Sequence, residues 1–122
     1  MHWDLSPDRP IYLQLMEKIK IGIVSGVYPA GSQLPAVRSI AADAAVNPNT
    51  MQKALAELER EGLVYSRRTS GRFITEDENM IRHIKEELAQ AHIHTFIDSM
   101  KKLGFSDEEL IALLEKSIGE EK

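Results

Sequence analysis

Apolar residues in the first third of the chain recur at helical steps. Tyr12, Met16, Ile19 and Ile23 are separated by four, three and four positions, which gives one apolar face and predicts a helix from Pro10 onward. Gly26 and Pro29 stop it. The stretch from Pro29 to Pro35 holds two prolines and a glycine, so it predicts an extended connector. Val37, Ile40, Ala41 and Ala44 then define one face of a short second helix over 36–44, with Arg38 and Ser39 off that face. After the turn Ala45-Val46-Asn47, a third helix is announced by Asn47 as N-cap and Pro48 in the first helical position, where its missing N–H costs nothing. Met51, Ala54, Leu55 and Leu58 form its apolar face, leaving Asn49, Gln52, Lys53 and Glu57 on the others, and Gly62 ends it.

The period then changes. Leu63-Val64-Tyr65-Ser66 and Arg72-Phe73-Ile74-Thr75 are β-prone runs on either side of Arg67-Arg68-Thr69-Ser70-Gly71, which predicts a hairpin with a basic tip. Three helices, a short turn between the second and third, and a hairpin give the order of a winged helix-turn-helix. Beyond it, Thr75-Glu76-Asp77-Glu78 reads as a capping box, followed by Ile81, Ile84, Leu88 and Ala91. Ile93, Phe96, Ile97, Met100 and Leu103 continue the stripe on a shifted face, which predicts one long helix to Gly104. Ser106 to Glu109 caps a last helix with Leu110, Leu113, Leu114 and Ile118 on its apolar face and Gly119 at its end.

The fold expected is therefore mainly α with a small β-hairpin. A winged helix-turn-helix fills residues 1–75, and a C-terminal αα-hairpin over 76–122 serves dimerisation. Two helices with so many large apolar residues cannot bury them against each other alone, so Ile81, Ile84, Leu88, Ile93, Phe96, Ile97, Met100, Leu103, Leu110, Leu113 and Leu114 are candidate dimer contacts.

Charge sharpens this division. The net charge of −4 argues against a nucleic-acid partner at first sight, yet residues 1 to 75 carry nine Lys/Arg against seven Asp/Glu, and residues 76 to 122 six against twelve. The basic excess sits with the predicted helix-turn-helix. No stretch approaches the ~20 apolar residues of a membrane span, and the start of the chain has neither the basic flank nor the apolar core of an export signal, so a cytoplasmic location is expected. With no cysteine there is no disulfide framework, thiolate metal site or cysteine nucleophile.

A recognition helix presents short polar and cationic side chains from its first turns, because that end reaches base edges in the major groove. Asn47, Asn49, Thr50 and Lys53 meet that demand, Asn47 as a cap in any case. Arg38, with Ser39 beside it, stands near the start of the second helix, where helix N–H groups and a guanidinium together suit a phosphate. Arg67, Arg68 and Arg72 surround Ser70 and Gly71 in the hairpin, the combination that a wing approaching the minor groove requires.

These residues also carry a resemblance. Pro10-Ile11-Tyr12, Gly31 to Arg38, Val46-Asn47-Pro48-Asn49-Thr50, Ala54 and Glu57 to Leu63 resemble the N-terminal domain of GntR-family bacterial transcription regulators, and the short two-helix tail is similar to that of the YtrA-type subfamily. The resemblance implies a homodimeric repressor on an inverted-repeat operator, often near genes for ABC-type transporters, with double-stranded DNA met by Arg38, Asn47, Asn49, Thr50, Lys53 and the wing around Arg68 and Gly71. Two departures stand out. Ala44-Ala45 and Gln52-Lys53 occupy places where many relatives have a glycine in the turn and an arginine in the early recognition helix.

Other chemistries fare worse. No nucleophile elbow, phosphate-binding glycine loop or metal-ligand triplet occurs at useful spacing, so the chain is not expected to be an enzyme or to hold a cofactor. His92 and His94 diverge by about 200° on one helix and cannot share an ion; His94 and Asp98 supply only two ligands, so no metal is expected. The tail is too small to enclose a sizeable metabolite pocket, and the sequence points to no particular effector. The remaining alternative is a winged helix used for protein contacts without specific DNA binding.

Overall fold

The computed structural model describes residues 2–121. Its elements are α1 (Ile11–Val24), α2 (Val37–Ala44), α3 (Pro48–Arg60), β1 (Val64–Arg67), β2 (Gly71–Ile74), α4 (Glu78–Lys102) and α5 (Asp107–Glu121). They separate into two compact units, one ending at Glu86 and one beginning at Glu87, so the first turns of α4 belong with the winged helix.

In the first unit α1, α2 and α3 enclose a core of Leu15, Ile19, Ile40, Ala41, Met51, Ala54, Leu55 and Leu58. Each large side chain among them contributes about 1.5–3 kcal/mol by leaving water. Asn47 caps α3 as expected, its Oδ1 accepting from Asn49 N–H at 2.7 Å. The helix stops at Gly62, whose φ of +84° only glycine adopts freely. Lys20 pairs with Glu61 at 2.9 Å and fastens α1 to that end.

The hairpin is antiparallel, with Val64 opposite Ile74, Tyr65 opposite Phe73, Ser66 opposite Arg72 and Arg67 opposite Gly71. The strands run one residue closer to the tip on β1 and begin one residue earlier on β2 than their β-prone runs suggest. Alternation of the pleat separates two faces. Val64 and Ile74 enter the core and Ser66 and Arg72 share their side, while Tyr65 and Phe73 stack on the other at 5.8 Å. The connector is extended as expected, and it also pairs with β2: Leu34 N–H donates to Arg72 O at 2.8 Å and Ile74 N–H to Ser32 O at 2.8 Å. A partner strand decides such pairing, so the connector's own prolines do not announce it.

Two cap assignments differ. Thr75 does not cap α4: its Oγ1 accepts from Asp77 N–H at 3.1 Å, ahead of the helix start at Glu78, and its own N–H is still held by Leu63 O at 2.9 Å as the chain leaves the sheet. Asp77 caps instead, accepting from Asn79 and Met80 N–H at 3.0 and 3.1 Å. At α5 the reciprocal box forms as expected, Ser106 Oγ accepting from Glu109 N–H and Glu109 Oε1 from Ser106 N–H. Those bonds, the backbone one first, hold the Glu109 carboxyl below its ordinary range. Gly119 does not end α5, which runs on to Glu121. Its cost in a helix interior is about 1 kcal/mol, too little to stop a helix already formed.

Candidate nucleic-acid interface

The buried side of α3 fixes what its open side presents. With Met51, Ala54, Leu55 and Leu58 inward, Asn49, Gln52 and Lys53 are exposed and Thr50 is half-buried. Asn49 is three positions from Gln52 and four from Lys53, so the three form one outward patch. Lys53 Nζ lies 4.0 Å from the centre of the Tyr12 ring, a cation–π contact that steadies its long stem while leaving the ammonium accessible.

On α2, Arg38 and Ser39 are exposed, and Arg38 has no carboxylate partner among the described residues. The acids that could have taken it are otherwise engaged. Asp43 accepts from Trp3 Nε1 at 2.7 Å and Glu57 pairs with Arg60 at 3.4 Å. A cleft of about 370 Å³, lined by Gln33 to Val37 and Ser70 to Arg72, brings the start of α2 and the wing together.

The three wing arginines have different surroundings. Arg68 is exposed at the tip without an ion pair among the described residues. Arg67 lies over the Phe73 ring at 4.6 Å and donates to Tyr65 Oη at 3.3 Å, so it is exposed but braced. Arg72 turns inward. Its Nε donates to Glu59 Oε1 at 2.6 Å and its Nη1 to Gln52 Oε1 at 3.3 Å, and its side chain is only 17% exposed. Its guanidinium is thus committed to α3, which sets it apart from the open cation that its place in the hairpin suggests. Ser66 Oγ also donates to Glu59, at 2.7 Å. Burial opposes ionisation of Glu59, but the bonds from Ser66 and Arg72, with the charge of Arg72, outweigh it and hold the carboxyl below its ordinary value.

Ser70 and Gly71 stand at the tip against Gln33, whose Nε2 donates to Ser70 O. Gly71 has φ +95°, the left-handed region that favours glycine, and a Cβ there would stand 3.1 Å from Gln33 Nε2, close enough that this side chain would have to give slightly. Sequence reasoning missed Gln33, Gln52 and Glu59 as parts of this assembly. Glu59 had a usable signal, being an acid on the helix preceding a basic hairpin; the two glutamines had none. It also missed Gln14, a buried side chain that bonds to Ser6 N–H and O and to Arg9 O and so straps the N-terminal segment to α1.

The comparisons with known proteins agree with this geometry. Residues 11–74 match the model of bacterial regulatory proteins of the gntR family. The chain belongs to the GntR family. It is 39% identical over 87 residues to the transcriptional repressor YtrA of Bacillus subtilis, covering 66% of this chain and 67% of that one. A GntR-family transcriptional regulator from Listeria monocytogenes superimposes with a TM-score of 0.83 at 38% identity, over 92% of this chain and 98% of the other. The DNA-binding domain of AraR, solved in complex with operator ORX1, superimposes with a TM-score of 0.53 at 28% identity, over 62% and 92%. This GntR protein is a DNA-binding transcription regulator and not an enzyme. His92, His94 and Asp98 are exposed on α4, and no helix among the described residues is long and apolar enough to cross a membrane.

The tail residues divide by exposure. Ile93, Phe96, Leu103, Leu113 and Leu114 are exposed, as is Ile118; Ile81, Leu88, Ile97 and Met100 are half-buried. Ile84 and Leu110, expected as dimer contacts, are buried within the chain itself at 8% exposure each. Ile84 belongs to the first unit, and Leu110 lies beside Ile97 near the turn between α4 and α5. Neither needs a partner to cover it.

Proposed function

We propose that this regulator is a cytoplasmic homodimeric repressor that binds an inverted-repeat operator, with control of ABC-type transporter genes as the resemblance implies. The observation that carries the DNA reading is the set of accessible cations on three elements: Arg38 on α2, Lys53 on α3 and Arg68 on the wing, none with a carboxylate partner among the described residues. Asn49 and Thr50 meet base edges, Asn47 divides its side chain between capping and the groove, and Arg38, Ser39, Arg67, Arg68, Ser70 and Gly71 position the domain on the backbone. Dimerisation through the second unit is supported by the exposed apolar side chains of α4 and α5, a composition that a lone surface helix does not favour.

Fluorescence anisotropy tests the reading. A duplex selected from a random pool should bind the full chain at least about 10³-fold more tightly than an unselected duplex. Both affinities should fall steeply between 50 and 200 mM salt, concentrations at which counterion release separates phosphate binders from others. Equal affinity for the two duplexes, or binding indifferent to salt, would favour a winged helix used for protein contacts.

A further inference from the structure

We propose that Arg72 is a positioning residue that determines which base Gln52 reads, so that the operator carries a guanine where Gln52 enters the groove. This inference rests on the sequence-specific DNA binding proposed above. Gln52 is exposed on α3, one turn beyond Asn49 and on the same outward patch. Its Oε1 accepts from Arg72 Nη1 at 3.3 Å, while Arg72 Nε is anchored to Glu59 Oε1 at 2.6 Å. A guanidinium has donors only, so the carbonyl end of the carboxamide is the end that faces Arg72. The NH2 group is turned away, and no acceptor for it occurs among the described residues.

An unconstrained glutamine pairs with adenine by using both ends, its oxygen accepting from N6 and its nitrogen donating to N7. Arg72 takes one of the two lone pairs of Gln52 Oε1 and holds that end toward the wing, which leaves the NH2 end to lead into the groove. It offers donors, and in the major groove the edge made of adjacent acceptors is guanine, with N7 and O6. Arg72 is fixed in turn by Glu59, which Ser66 also holds, so the preference is set by a wing-to-helix latch that never touches DNA.

Selection from a random duplex pool, with sequencing of the bound fraction, tests the inference on the full chain and two variants. The wild type should prefer guanine at one position of each half-site, by roughly fivefold or more. Gln52→Ala, an exposed change that spares the core, should flatten that position and no other. Arg72→Lys keeps a cation for Glu59 but has no second donor arm to hold Gln52. It should move the same position from guanine towards adenine, with thermal melting confirming the fold. If Gln52→Ala flattens no position, or Arg72→Lys leaves guanine preferred, the inference is overturned while the DNA-binding reading stands. A wild type that selects no common sequence overturns both.

Discussion

Asn47, Asn49 and Thr50 lie within four positions of one another and answer to different forces. Asn47 spends its Oδ1 on the start of α3, whereas Asn49 is exposed and Thr50 half-buried. Asn49→Ala or Thr50→Ala should therefore reduce affinity for the selected operator by roughly 1–3 kcal/mol per protomer and barely alter binding to random DNA. Anisotropy on the two duplexes checks this, with circular dichroism to confirm the fold, and unchanged operator preference would remove both residues from the base-reading set. Arg68→Ala should weaken both duplexes alike and make the salt dependence shallower by about one counterion per protomer, measured from the slope of log affinity on log salt. Ala45 raises a separate question of stability. It ends α2 at φ +58°, the left-handed region where a Cβ is strained, and is the one non-glycine residue with positive φ among those described. Ala45→Gly should raise stability by about 0.5–1 kcal/mol in urea unfolding, because relief of strain exceeds the added freedom of the unfolded chain. At this scale the cap was legible because Asn-Pro is a local signal. The occupation of Arg72 by Glu59 had only the weaker signal of an acid on the helix before a basic hairpin, since no spacing rule pairs two residues thirteen positions apart on different elements.

The elements themselves were readable wherever one face is buried by the chain's own core. The apolar spacings of α1, α2 and α3 each gave a helix, and the change to alternation gave the hairpin. What escaped was the pairing between elements: the connector bonded to β2, and the wing latched to α3 by Ser66 and Arg72 on Glu59. That latch should have an acid limit. The folded-state value of Glu59 lies below the ordinary 4.5 of glutamate, so its stabilisation is complete above 4.5 and is lost as pH falls through the lower folded value. The thermal midpoint of Glu59→Gln should therefore lie below that of wild type at neutral pH, with the gap closing in acid. A gap that stays constant between pH 7 and 3 would mean that the ionised pair contributes nothing.

At the scale of the whole molecule, the two compact units carry different surfaces: accessible cations on the winged helix and exposed apolar side chains on α4 and α5. Sequence patterning revealed the apolar tail but overcounted the contacts left for a partner, since Ile84 and Leu110 are buried by their own chain. A chain ended after Glu86 retains Ile84 and should sediment as a folded monomer, whereas the full chain should sediment as a dimer at tens of micromolar, where ordinary dimers form. The shortened chain should bind the operator at least 10²-fold more weakly, having lost the second half-site's contribution to effective concentration. Footprinting of the full chain on a duplex selected from a random pool tests the central claim most directly. Two protected half-sites related by two-fold symmetry, their centres about one helical turn or a multiple apart, are predicted. A single asymmetric site, protected by one protomer with no symmetry in the bound sequence, would contradict it.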